Sequence, residues 1–202
     1  LTTLESEMNR ADQLFKERRD EKKARESLRI YREQFDAHPK SSEIAWRLAM
    51  ASYFVGIRLT PDSSEKEKVY ALGRDAGLRG IENSTVRKKR RRRVGWGKKR
   101  RGLPESDCSP CYFWTAINMA LYGKTHGIFE TLFSLKQIQN YLRDSIAIDP
   151  KYLYGGAHRL LGQIEHGLPG ILGGSDSRSK KHYKNSIKYG PDEPLNYFFY
   201  AK

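Results

Sequence analysis

Three segments of this chain end in a similar arrangement of residues, and this recurrence constrains the fold more than any other sequence feature. Each arrangement has a large apolar residue, a small or polar residue three positions later, and a proline that stops the segment. The three are Ser27-x3-Tyr31-x2-Gln34-x4-Pro39, Ile138-x3-Leu142-x2-Ser145-x4-Pro150 and Ser179-x3-Tyr183-x2-Ser186-x4-Pro191. On a helix these positions share one face. Small residues there let a neighbouring helix approach, so the bulky Ile138 makes the second arrangement the weakest of the three.

This pattern is typical of the second helix of a tetratricopeptide repeat (TPR). Trp46-x2-Ala49-Met50-x2-Tyr53 follows the first proline and resembles the first helix of such a repeat, with Met50 where glycine is usual. Trp114-x2-Ile117-Asn118-x2-Leu121 is a weaker match. We therefore expect an all-α chain of about eight or nine helices, built as TPR-like stacked helical hairpins in a short solenoid or closed bundle. An unrelated helical bundle is the alternative.

Hydrophobic periodicity and capping residues predict the individual helices. Ser64-x-x-Glu67 is a capping-box pattern at the start of the fourth helix, and Gly73, Gly77 and Gly80 within it suggest a close approach to another helix. Residues 168–174 are expected to form a loop. The predicted helices cover residues 3–15, 24–35, 43–57, 64–81, 111–122, 129–148, 153–166, a segment from the Ser175 or Asp176 cap to just before Pro191, and 195–201.

Most of the net charge of +14 comes from one short segment. Residues 87–101 carry eleven Lys or Arg residues and no acid, which leaves +3 for the rest of the chain. Adjacent like charges repel one another, and the glycines at 95, 97 and 102 disfavour helix. We expect one domain over residues 1–202 with a basic surface loop at 84–107. No apolar run is long enough to span a bilayer.

The basic loop has three interpretations. It could neutralise phosphates of nucleic acid or an anionic membrane surface, with the indole ring of Trp96 stacking on a base or inserting at the membrane. It could be a targeting signal, or a solvated insertion with no specific role. The candidate anion-binding residues are Arg87, Lys88, Lys89, Arg90, Arg91, Arg92, Arg93, Trp96, Lys98, Lys99, Arg100 and Arg101.

Cys108 and Cys111 form a C-x-x-C pair at the predicted start of the fifth helix. They could form a structural disulfide, which would favour an exported protein, or remain two free thiols. A redox or metal role is the third possibility, although that motif usually accompanies a βαβ pattern, which is missing here.

The sequence contains no nucleophile elbow, phosphate-binding glycine loop or zinc-protease motif. The five histidines are scattered, and His158 and His166 lie two turns apart, too far for the usual metal pair. We therefore expect a protein that is not an enzyme and that has no cofactor or metal. Asn118 and Arg159 lie on apolar helix faces, where each must contact either a ligand or a neighbouring helix. The candidate ligand-binding residues are Trp114, Asn118, Arg159 and Gln163.

The segments 157–162 (Ala-His-Arg-Leu-Leu-Gly) and 168–174 (Leu-Pro-Gly-Ile-Leu-Gly-Gly), followed by a helix with the repeat pattern, resemble the C-terminal half of the TRAP-transporter T-component (TatT) family. The apolar helix at 112–122 fits this resemblance. Residues 42–49 with the helix at 65–81 also resemble the regulators of microtubule dynamics, which share the helical layout. The basic loop has no counterpart in either family.

The T-component resemblance implies a periplasmic lipoprotein that acts as a non-enzymatic scaffold. Such a protein would partner a transporter's solute-binding protein and bind small apolar or amphipathic ligands. The competing interpretation is a cytoplasmic helical-repeat adaptor that uses the basic loop to hold nucleic acid or anionic lipid. The last helix ends abruptly at Lys202, which suggests that it packs against another chain in an oligomer or against further residues.

Overall fold

A computed structural model describes residues 3–84 and 106–201, except for the side chain of Ile128. The described residues form nine α-helices and one 3-10 turn, with no strand, which confirms the predicted all-α, TPR-like class. The α-helices are α1 (Thr3–Lys16), α2 (Glu21–Ala37), α3 (Ser42–Arg58), α4 (Ser63–Asn83), α5 (Ser109–His126), α6 (Ile128–Ile148), α7 (Gly156–Gly167), α8 (Asp176–Tyr189) and α9 (Pro194–Ala201).

Side-chain caps set several helix starts. Asp20 accepts a hydrogen bond from the Lys23 amide at the start of α2, and Ser41 and Ser175 cap α3 and α8. The prediction for α4 was wrong. Asp62, not Ser64, is its N-cap and accepts a hydrogen bond from the Glu65 amide at 2.8 Å. An aspartate is at least as good a cap as a serine, so the cap lies two residues before the predicted Ser64.

Helix α7 begins later than the predicted residue 153. Leu153, Tyr154 and Gly155 all have positive φ values, of 47°, 58° and 75°. Three left-handed residues in succession cannot belong to a right-handed helix, so α7 starts at Gly156. The loop predicted at 168–174 is irregular apart from a single 3-10 turn at Gly170–Leu172.

Consecutive helices pack against one another in hairpins, and the recurring residues lie at the contacts. Ser27 Oγ on α2 donates to Ala11 O on α1 at 2.9 Å. Ser179 Oγ on α8 donates to Gly162 O on α7 at 2.8 Å. The equivalent serines therefore make the same contact from the second helix to the first in two hairpins, as a repeat requires.

The glycines of α4 allow α5 to approach closely, as the sequence predicted. A Cβ on Gly73 would lie 2.5 Å from Asn118 Oδ1, and one on Gly77 would lie 2.1 Å from Thr115 Oγ1. A Cβ on Gly80 would lie 2.8 Å from Cys111 Sγ. Because real Cβ atoms do not come this close to other heavy atoms, even alanine would force the two helices apart.

The described residues on either side of the basic segment, Ser84 and Ser106, are in contact. Ser84, which follows α4, shares a hydrogen bond between hydroxyl groups with Ser106, and its Oγ accepts from the Asp107 amide at 3.2 Å. Helices α4 and α5 therefore pack as direct neighbours although more than twenty residues separate them in sequence.

Candidate functional site

An aromatic cluster joins three parts of the fold around Trp114 of α5. Its ring centroid lies 5.4 Å from that of Tyr53 on α3 and 5.0 Å from that of Phe113. Trp114 Nε1 donates to the hydroxyl of Tyr152, which precedes α7, at 2.8 Å. We call Tyr53, Phe113, Trp114 and Tyr152 the Trp114 cluster. Trp114 itself is only 7% exposed, so it is mainly a core residue.

The phenol of Tyr152 is held neutral. Burial raises the pKa of Tyr152 to about 12. The hydrogen bond from Trp114 and the charge of Arg47 lower that pKa, but by less than burial raises it. Asp149 and Glu43 contribute smaller increases in that pKa. The Trp114 cluster therefore offers rings and a neutral hydroxyl group, which suit an apolar or amphipathic contact.

Arg159 is the one arginine of α7, which contains no lysine. It donates to Asn196 Oδ1 of α9 at 2.6 Å. Burial lowers the pKa of Arg159, whereas the carboxylate of Glu193 and the phenol of Tyr53 raise it. Tyr53 thus contacts Trp114 and also acts on Arg159. Gln163 lies one turn further along the same face of α7; it is half-buried and has no hydrogen-bond partner in the described part of the chain.

Asn118 lies apart from that face. Its side chain is fully buried, and its amide nitrogen donates to Ala49 O on α3 and to Trp114 O on its own helix. Its Oδ1 lies against Gly73 and has no partner among the described residues. A neighbouring helix therefore supplies a partner for Asn118, as Asn196 does for Arg159.

The structure brings together two histidines that are far apart in the sequence. His158 Nδ1 on α7 and His182 Nδ1 on α8 lie 2.9 Å apart, and the His158 ring stacks on Tyr189. Burial, and secondly His182, lowers the pKa of His158 to about 4. The repeat register could have revealed this pair, because antiparallel helices that place Gly162 opposite Ser179 also place His158 opposite His182.

Cys108 and Cys111 form a disulfide bond in the structure. Cys108 is the N-cap of α5, and its Sγ accepts a hydrogen bond from the Cys111 amide. Both cysteines are buried, and Cys111 lies against Gly80 of α4. The disulfide thus fixes the first turn of α5 where the chain returns from the basic segment.

The candidate anion-binding residues from Arg87 to Arg101, Trp96 included, lie outside the described residues. Among the residues that are described, no group of three or more His, Cys, Asp or Glu side chains could hold a metal ion.

Comparison with known proteins agrees with the family resemblance. A family model described as TRAP transporter T-component matches residues 63–202, which is more than two thirds of the chain. The match begins at α4 and includes Trp114, Tyr152, Arg159 and Gln163. No curated protein matches the chain. Within residues 3–84 and 106–201, no helix is long and apolar enough to cross a membrane. The chain belongs to the TRAP transporter T-component family.

Proposed function

We propose that this protein is a non-catalytic T component that binds the solute-binding protein of a TRAP transporter. The observation that carries this proposal is the family match over residues 63–202. The fold supports it, because stacked helical hairpins form extended surfaces that bind other proteins.

We propose that small apolar or amphipathic ligands bind beside the Trp114 cluster, with Arg159 and Gln163 as polar contacts. Ligand sites of this kind combine apolar and aromatic walls with a few polar groups that set orientation. Gln163 is the strongest candidate for a polar contact with the ligand, because its side chain is half-buried and has no hydrogen-bond partner within the described chain. Asn118 would act indirectly, by holding the backbone of Trp114.

Calorimetric titration of the full chain with a neutral apolar probe, such as indole, tests the ligand site. Gln163→Arg fills the proposed site with a charged side chain and should abolish binding. Gln137→Arg is the matched control, because Gln137 is an exposed glutamine on α6. Equal affinity in the wild type and in Gln163→Arg would contradict this location.

We propose a periplasmic, membrane-anchored location for the protein. The disulfide between Cys108 and Cys111 supports this, because disulfides persist in oxidising compartments. The mass of the mature N-terminus of the protein purified from its source tests the anchor. A lipid-modified N-terminal cysteine is expected, whereas an unmodified, unprocessed cytosolic start would contradict the proposal.

A second proposal concerns the basic segment, because eleven cations without an acid favour polyanion binding. Replacing residues 87–101 with a neutral Gly-Ser linker should abolish binding to duplex DNA. The affinity of the wild type should fall with salt, with a log–log slope of about −0.9 for each phosphate contacted. Because Ser84 and Ser106 are in contact, the linker should leave the packing of α4 on α5 unchanged. DNA binding that survives the replacement would contradict this proposal.

A further inference from the structure

A groove between α2 and α4 has an apolar floor and a cationic rim. Leu28 of α2 and Val69 and Leu72 of α4 form the floor, and all three are half-buried. The cavity has a volume of about 570 Å³, within the range of about 300–1,000 Å³ that is usual for small-molecule sites. An apolar floor of this size favours a ligand with a hydrocarbon part.

Every charged residue that lines the groove is a cation, namely Arg25, Arg29, Arg32 and Lys68. Arg25 pairs with Glu21 and donates to Leu59 O, while Arg29 pairs with Glu26 and Glu33. Arg32 and Lys68 have no acidic partner within the described ranges 3–84 and 106–201. Two uncompensated cations beside an apolar floor complement a ligand that has one anionic end.

We propose that this groove binds a single-chain anionic amphiphile, such as a medium-chain fatty-acid anion, as a monomer from solution. The hydrocarbon chain would lie over Leu28, Val69 and Leu72, and Arg32 and Lys68 would hold the carboxylate. Carboxylates form strong charge-assisted hydrogen bonds with such cations. An amphipathic helix fits less well, because Arg25 and Arg32 are only about 10 Å apart along α2, too short for the several apolar anchors such a helix uses.

This site is separate from the one proposed beside Trp114. Leu28 and Leu72 pack on the core cluster that contains Tyr31 and Leu48, whereas Trp114 belongs to the cluster that contains Leu142 and Leu161. Helix α2 also lies outside the stretch that matches the family. The two proposals therefore stand or fall independently.

Titrating the full chain with dodecanoate below its micelle concentration tests the groove. We expect saturable binding of dodecanoate and none of dodecyltrimethylammonium, which has the same chain with a cationic end. Reversing both free cations, Arg32→Glu with Lys68→Glu, should weaken dodecanoate binding by at least about tenfold. The matched control is Lys136→Glu with Lys184→Glu, which makes the same charge change at exposed sites on α6 and α8 and should leave the affinity unchanged.

Four results would overturn the proposal. The first is that dodecanoate shows no saturable binding, and the second is that the two charge-reversed variants weaken dodecanoate binding equally. The third is that the protein binds only to anionic vesicles. The fourth is that Gln163→Arg loses dodecanoate binding while Arg32→Glu/Lys68→Glu retains it fully. The last result would place the amphiphile beside the Trp114 cluster instead. All the substituted lysines and Arg32 are exposed, and circular dichroism spectra that match the wild type would show that each variant is folded.

Discussion

Single side chains determine how closely neighbouring helices of this protein approach. On α4, three glycines provide the space that Asn118, Thr115 and Cys111 of α5 occupy. In other hairpins an aromatic ring fills the equivalent space. The ring of Tyr183 covers Gly162, and that of Tyr70 covers Gly56, where a Cβ would lie 2.5 Å and 2.4 Å from the rings. The contact of Tyr70 with Gly56 was not predicted from the sequence.

Gly77→Val tests the close contact between α4 and α5. The new side chain would meet the Cα, Cβ and Oγ1 atoms of Thr115, so the helices must separate. We expect a loss of about 1–3 kcal/mol in the free energy of unfolding, measured with urea. Gly167→Val at the end of α7 meets no atom within 4 Å and should change stability by less than about 0.5 kcal/mol. Equal effects of the two substitutions would disprove the close contact.

The His158–His182 pair should make stability depend on pH. Because burial lowers the pKa of His158 from 6.5 to about 4, the folded state favours the neutral imidazole. Its stabilising contribution is complete above pH 6.5 and is lost as the pH falls towards 4, by about 3 kcal/mol at most. The pKa of His182 is also lowered, mainly by burial; Glu165 opposes this, whereas Arg143, Lys181 and Arg178 reinforce it.

Urea denaturation of the wild type and of His158→Phe between pH 7 and pH 4.5 measures this effect. The variant cannot be protonated at position 158, so its stability should fall less steeply with acidification. His38→Gln, at an exposed position, is the control and should behave like the wild type. Parallel pH profiles for the wild type and His158→Phe would show that the pair does not sense pH.

At the scale of elements, α9 is attached to the rest of the chain mainly by one polar side chain. Asn196 is fully buried. Its amide nitrogen lies within hydrogen-bond distance of Tyr154 O, Ser186 O and Gly190 O, and its own oxygen accepts from Arg159. The outer side of the helix is apolar. Leu195, Tyr197, Phe198 and Tyr200 are each between 42% and 55% exposed. Helix α9 therefore depends on a specific hydrogen-bond network more than on an enclosed core.

Asn196→Ala should release α9. The substitution leaves three backbone carbonyl groups and Arg159 without this partner, at a cost of about 1–3 kcal/mol for each group that stays buried and unsatisfied. Amide hydrogen exchange in residues 194–201 should become much faster, with little change in α1–α4. Leu195→Ala removes a half-exposed side chain and is the control. Unchanged protection in Asn196→Ala would contradict this role.

The disulfide at the start of α5 is a second local feature that should stabilise the fold. Closing so short a loop should stabilise the fold by about 2 kcal/mol through loss of entropy in the unfolded chain. Adding a reductant should therefore lower the urea midpoint of the wild type but leave that of Cys108→Ser/Cys111→Ser unchanged. Quantitative alkylation of both cysteines in the native, unreduced protein would show that the disulfide is absent.

At the scale of the whole molecule, the sequence predicts most of the architecture because the helices are amphipathic and the repeat pattern recurs. The exceptions are the starts of α7 and α4. The start of α7 depends on α8, since a Cβ on Gly155 would lie 2.8 Å from Ser186 O and one on Gly190 would lie 2.4 Å from Tyr154 O. At the start of α4, Asp62 and Ser64 are both adequate N-caps and lie within one turn of each other. Periodicity alone resolves neither case.

The candidate site was only partly predictable, because contacts between helices decide which residues meet. Trp114 and Arg159 stand out in the sequence as large residues on apolar faces. Tyr53 and Tyr152 join Trp114 only because α3 packs on α5 and the segment before α7 reaches the Trp114 indole. Asn118 has the same sequence signature as Arg159, yet the glycine of α4 beside it closes off its side chain. Whether a polar side chain on an apolar helix face is accessible to a ligand therefore depends on the neighbouring helix.

Calorimetric titration of the full chain with the solute-binding protein of the same transporter tests whether this protein works as a T component. We expect a saturable complex with a defined stoichiometry, because the family match covers α4–α9. The complex should be retained at high salt, because stacked helical hairpins rather than the basic segment form the proposed binding surface. The same affinity is expected when residues 87–101 are replaced with a neutral linker. Absence of a complex at micromolar concentrations of both proteins would contradict the assignment as a working T component.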